Sequence, residues 1–146
     1  MKVVASVLLV LNLCMYVIIL GIGGWEMNKS ISQGFDLSSQ LSRNYYPEEN
    51  TATGLFLVFG LIAGCVGFAS LISGLNHVCL WSNDTLPAAV SAATVAWAHT
   101  VLALGFATKE IKLHIKNSRL STMEAFIIIL SATKLLYIFA IHGVRK

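Results

Sequence analysis

Apolar residues run along this chain in four long stretches separated by three polar breaks. Val3 to Gly24 and Ala52 to Leu75 carry no charge, Leu86 to Thr108 carries only the neutral-capable His99, and Met123 to His142 carries Glu124 and Lys134. An α-helix rises 1.5 Å per residue, so about 20 apolar residues cross about 30 Å of hydrocarbon. The pattern predicts four membrane-spanning helices, at about residues 3–24, 52–75, 86–108 and 123–142, within a single transmembrane domain. The first break, Trp25 to Thr51, is long and acidic; the second, Asn76 to Thr85, is short; the third, Lys109 to Thr122, is basic. The expected fold class is an all-α membrane protein, a four-transmembrane-helix bundle with a long first loop. Lys2 ahead of an apolar run also suits a signal peptide, but signal cores hold roughly 7–15 residues. This run is longer, so the segment is expected to stay as the first helix.

Composition supports lipid as the solvent. Of 146 residues, 56% are hydrophobic and 12% charged, against roughly 45–50% and about 25% in soluble domains; the mean hydropathy is +0.75. So few charges cannot cover the surface of a small globule in water. The net charge of +3 comes from basic residues scattered at segment ends, with no face that follows a phosphate backbone, so nucleic acid is not an expected partner. Three cysteines, Cys14, Cys65 and Cys79, do not form the even, loop-borne set of a disulfide scaffold.

Orientation is left open by the charges. Four spans put Lys2, Arg145 and Lys146 on one side, and Lys29, Arg43, Lys109, Lys112, Lys116 and Arg119 on the other. The bias favours cytoplasmic first and third breaks, whereas the long acidic first break reads as an outside loop. The sequons at Asn28 and Asn83 fall on opposite sides and both lie close to the bilayer.

Helices in lipid associate through small residues and polar contacts. In the second helix Gly60, Ala63, Gly64, Gly67 and Gly74 share a narrow arc that another backbone can approach. On the third, Ser91, Thr94, Ala98, Gly105 and Thr108 share a side and are expected to pack likewise. Asn12, on the side of the first helix shared by Ala5, Tyr16 and Gly23, is expected to clasp a neighbouring helix. Trp25 and Trp81 fall at segment ends, where interfacial indoles belong, and Trp97 is expected inside the bundle.

Lys134 is the most informative residue. A cation deep in a span costs about 2.5–3.5 kcal/mol on insertion scales and has to face protein or water. Glu124, Ser131, Lys134 and His142 lie within about 80° of arc at the helical period, a polar stripe expected to face the bundle. Two roles are open for Lys134: a partner such as Asn12, His99 or a backbone carbonyl holds it, or it binds an anionic ligand or joins a proton relay. Glu124, Ser131 and His99 are the candidates to share that ligand or relay role. His77 and Cys79 offer two metal ligands where a site needs three or four, so no metal is expected. No phosphate loop, nucleophile elbow or paired metal-ligand histidines occur, so neither an enzyme nor a cofactor is expected.

Several stretches together resemble the plant AWPM-nineteen-like family: Leu11 to Gly21 with Trp25, Gly74 to His77 with Trp81, Ser91 to Trp97, and Met123 to Leu130 with Leu135 to Tyr137 and Ile141-His142. The likeness covers nearly the whole chain and all four helices. It implies a small multi-pass protein of the plant plasma membrane, associated with abscisic acid, drought stress and seed dormancy, and, for at least one family member, abscisic-acid uptake. It carries no catalytic motif and no set of binding residues. The plan also looks like the claudin arrangement, but residues 26–50 lack the cysteines of a claudin first loop. Two functions follow as expectations. One is uptake of a small carboxylic acid, with Lys134 drawing the carboxylate and His99 or Glu124 coupling proton movement; a homo-oligomer would enlarge the cavity. The other is a non-transporting accessory protein that packs with other membrane proteins through its glycine groove or stabilises the membrane during dehydration.

Overall fold

The computed structural model describes residues 2–32, 48–112 and 118–143. They form four helices: α1 (Lys2–Ser32), α2 (Glu48–Leu80), α3 (Leu86–Lys112) and α4 (Ser118–His142). Each is long and apolar enough to cross a membrane, with stretches of 28, 28, 24 and 25 residues that qualify. The middle of the first loop with Arg43, the third break around Lys116, and Arg145 and Lys146 lie outside the described residues.

The helices overrun the hydropathy-defined spans. α1 continues past Gly24 to Ser32, α2 begins at Glu48 and α4 at Ser118. Hydropathy marks where hydrocarbon ends, whereas a helix continues until a residue stops it, and Trp25 to Ser32 contains neither glycine nor proline. The second break shrinks for the same reason. α2 runs on to Leu80 and leaves a turn of residues 81–85. Trp81 ends the helix in the left-handed region, φ 47°, and its N–H bonds the His77 carbonyl at 2.6 Å. A non-glycine residue there costs roughly 1–2 kcal/mol, offset by ring contacts: the indole stacks on the His77 imidazole at 5.2 Å and lies 5.8 Å from the Lys2 ammonium. Thr85 then starts α3, its carbonyl accepting Ala89 N–H at 3.2 Å and its hydroxyl bonding His77 Nδ1 at 2.9 Å.

α1 and α3 each pack against both α2 and α4, closing a ring of antiparallel neighbours. Only 28–44% of the most apolar stretch of each helix is buried within the ring. Outward stand Val3, Val7, Val17, Ile72, Leu136 and Phe139, a covering that suits lipid and not water. Inside, Leu9, Ile19, Phe56, Leu71, Ile127, Leu130 and Ile141 form the core. Phe59 of α2 stacks on Phe106 of α3 at 4.8 Å.

The glycine arc of α2 faces inward, and the notches at Gly60, Gly64, Gly67 and Gly74 each have an occupant. A side chain at Gly64 would lie 2.8 Å from Leu20, and one at Gly74 2.7 Å from the Tyr137 hydroxyl. At Gly67 it would meet the Tyr16 ring, and at Gly60 the tip of Met123. The expectation for α3 is corrected. Ser91, Thr94, Ala98, Gly105 and Thr108 face outward. The packed side is an alanine stripe, Ala89, Ala93, Ala96, Ala103 and Ala107, with Thr100 in its midst. Hydroxyls on the outer side need no neighbouring helix, because Ser91, Thr94 and Thr108 donate to carbonyls of their own helix. Methyl-sized side chains then let the other helices approach the opposite side.

Candidate functional site

The centre of the ring holds a cation. Lys134 of α4 is 1% exposed, and its Nζ donates to Ser70 Oγ of α2 at 2.7 Å. The Ser70 hydroxyl spends its own hydrogen on Gly67 O, also at 2.7 Å, which leaves its lone pairs for the ammonium. Two aromatic rings complete the enclosure, with centroids 5.3 Å (Tyr16) and 5.7 Å (Tyr137) from Nζ, within cation–π range. Among the described residues no carboxylate forms an ion pair with Lys134. The charge is held by a neutral hydroxyl and two ring faces.

Other polar groups surround it. Asn12 of α1 is fully buried, and its Oδ1 accepts from Thr133 Oγ1 at 2.8 Å. The bond joins α1 to α4, with Thr133 and not Lys134 as the partner of Asn12. Its Nδ2 has no hydrogen-bond partner among the described residues, nor do the hydroxyls of Tyr16 and Tyr137. Tyr16 lies beside Thr100, outside hydrogen-bond geometry; the Thr100 hydroxyl donates to Ala96 O at 2.8 Å. Register along α2 orders these groups. Tyr16 fills the notch at Gly67, the ammonium sits on Ser70, and the Tyr137 hydroxyl lies at Gly74, levels separated by about 4.5 and 6 Å of helix rise.

The polar stripe of α4 divides. Glu124 and Lys134 are buried while His142 is exposed. Ten residues, about 15 Å of rise, separate Glu124 from Lys134, too far for an ion pair. Ser131 faces the edge of α3: its hydroxyl donates to Ile128 O at 2.8 Å, and its carbonyl accepts the Trp97 indole N–H at 3.1 Å. The half-buried His99 turns its Nδ1–H to Val95 O of its own helix at 2.8 Å. Its neighbour Thr100 is the residue that points inward. Thus Asn12 reaches α4 at Thr133, next in sequence to Lys134, and Ser131, His99 and Glu124 are turned to other partners or levels.

Ser70, Tyr16, Tyr137 and Thr133 were missed. A serine and two tyrosines inside apolar runs look like ordinary packing residues, and their partners lie 64 and 121 positions away for the two long-range hydrogen bonds. The signal that was present is the three- and four-residue spacing of Gly67, Ser70 and Gly74, which puts a hydroxyl on the glycine face. His77 and Cys79 are not brought together either, since His77, in the last turn of α2, is buried against Trp81 and Thr85 while Cys79 is exposed. At the surface, a cleft of about 430 Å³ is lined by Ser118, Thr122 and Phe126, and one of about 360 Å³ by Asn83, Pro87, Val90 and His142. Neither is lined by Lys134.

The two ends of the ring carry indoles under cations. Trp25 of α1 lies beneath Arg119 at 3.4 Å and within 5.4 Å of Lys29; Trp81 with Lys2 marks the opposite end.

No solved structure matches this chain. A rice protein from Oryza sativa subsp. japonica, described as membrane protein PM19L, is 43% identical over 141 residues, covering 93% of this chain and 75% of the relative. The family model for AWPM-19-like proteins matches residues 10–144, taking in Asn12, Tyr16, Ser70, Lys134 and Tyr137. Four membrane-length helices around one buried cation therefore describe a membrane protein that belongs to the AWPM-19-like family.

Proposed function

We propose that this membrane protein mediates uptake of abscisic acid, a small weak acid, across the plant plasma membrane in drought stress and seed dormancy. The observation that carries the reading is Lys134: a fully enclosed cation without a carboxylate partner among the described residues. Such a charge is costly in an apolar interior and gains strongly from an anion that arrives with its own apolar body. Glu124, buried in the same helix, and His99 are the groups proposed to couple proton movement to release.

The experiment is uptake of labelled abscisic acid into liposomes holding wild-type protein or Lys134→Met, with and without an inward proton gradient, against empty liposomes. Saturable uptake by the wild type, reduced to the empty-liposome rate in folded Lys134→Met, is the expected result. Flux equal to empty liposomes from folded wild-type protein overturns the reading.

One observation favours a second reading. The outward side of α3 presents Ser91, Thr94, Ala98 and Gly105, small residues of the kind that let helices meet in lipid. An accessory role, packing with a second copy or with another membrane protein, would use that face, and the absence of flux would leave it standing.

A further inference from the structure

The uptake reading uses Lys134, Glu124 and His99 and leaves three other buried polar groups without a role. The hydroxyls of Tyr16 and Tyr137 and the amide nitrogen of Asn12 have no partner among the described residues, although these side chains are 0%, 1% and 0% exposed. Buried polar groups are normally paired, because leaving one unpaired forfeits its hydration for nothing in return. Two of the three, Tyr16 and Tyr137, turn their rings to one cation.

All of them can donate. The phenols each offer an O–H, Asn12 offers two N–H groups, and the ammonium has two hydrogens beyond the one it gives Ser70. Of the neighbouring acceptors, Asn12 Oδ1 takes a hydrogen from Thr133, Ser70 Oγ from Lys134 and Gly67 O from Ser70, while Thr100 Oγ1 lies beside Tyr16. A buried cation with spare donor hydrogens beside it suits an anion and disfavours a second cation. Two oxygens carrying about four lone pairs, as in a carboxylate, match it better than a single carbonyl or ester oxygen.

We propose that Tyr137 and Lys134 form an anion site, in which the phenol and the ammonium bond the oxygens of a bound carboxylate and do not hold its neutral ester. The identity of the carboxylate rests on the uptake reading; the donor set does not. Tyr137 is the decisive position, since its hydroxyl sits at the Gly74 notch beside Leu9 and has no hydrogen-bond partner among the described residues. Removing that hydroxyl deletes an unpaired buried dipole and keeps the ring. The empty protein should therefore hold or gain stability as it loses ligand, and these opposite signs separate a ligand group from a structural one.

The test uses the purified full chain in detergent, wild type, Tyr137→Phe and Lys134→Met, measuring thermal midpoint and binding of abscisic acid, its methyl ester and acetate. Tyr137→Phe is expected to melt at or above the wild-type temperature and to bind the acid about 10- to 100-fold more weakly, the loss of one hydrogen bond to a charged group. The ester should bind wild type and Tyr137→Phe equally weakly. A lowered midpoint with unchanged affinity makes the hydroxyl structural and overturns the proposal. Should the wild type take up abscisic acid in a Lys134-dependent way while Tyr137→Phe is indistinguishable from it, the donor set falls and the uptake reading stands. Should abscisic acid not bind while acetate raises the midpoint of wild type but not of Tyr137→Phe or Lys134→Met, the anion site stands and the uptake reading falls. No stabilisation by either anion overturns the donor set.

Discussion

At the scale of single residues, the α2 glycines differ in what a methyl group would meet. Gly67 abuts the ring of Tyr16, which is rigid and fully buried, whereas Gly60 abuts the flexible end of Met123. Glycine to alanine gains about 1 kcal/mol of helix propensity, and overpacking against an immobile group costs about 1–3 kcal/mol. Gly67→Ala should thus lower the thermal midpoint measured in detergent, and Gly60→Ala should leave it near wild type. Because Tyr16 also flanks the ammonium, Gly67→Ala disturbs the site as well. Lys134 and Asn12 were legible in the sequence since a charge or a carboxamide inside an apolar run has to be answered by something. What answers them was not legible. Ser70 and the two tyrosines are common in membrane helices for many reasons, and only the folded chain puts them within reach of Lys134.

For the helices as elements, existence was plain from hydropathy and direction of packing was not. In water an amphipathic pattern separates core from surface, but here both the core and the lipid are apolar, so the outward Val17 and the inward Ile19 have the same chemistry. Residue size then becomes the only guide. It served for α2, where glycines face in, and misled for α3, where hydroxyl-bearing small residues satisfy themselves on their own helix and alanines do the packing. The corrected face gives an element-scale expectation. Ala96→Leu, on a fully buried position, should destabilise the bundle by about 1–3 kcal/mol. Ala98→Leu, on the exposed side, should leave the thermal midpoint of the monomer unchanged. Loss of a cross-linked dimer in Ala98→Leu alone would show that a second copy uses that side.

For the molecule as a whole, the ring is asymmetric along its axis. Lys29, Lys109, Lys112 and Arg119 gather at one end, and Lys2 lies at the other with the α2–α3 turn. Lys134 is off centre too, eight residues from the His142 end of a 25-residue helix. That offset gives the site an electrical depth. An anion reaching Lys134 from the His142 end traverses about a third of the membrane field, and one arriving from the Ser118 end about two thirds. With about 2.3 kcal/mol per charge per 100 mV, the first route makes occupancy change by about three- to fourfold per 100 mV and the second by about tenfold or more. Uptake into liposomes clamped at a series of potassium diffusion potentials would read that steepness, so the voltage dependence of flux tells from which end of the bundle the acid enters.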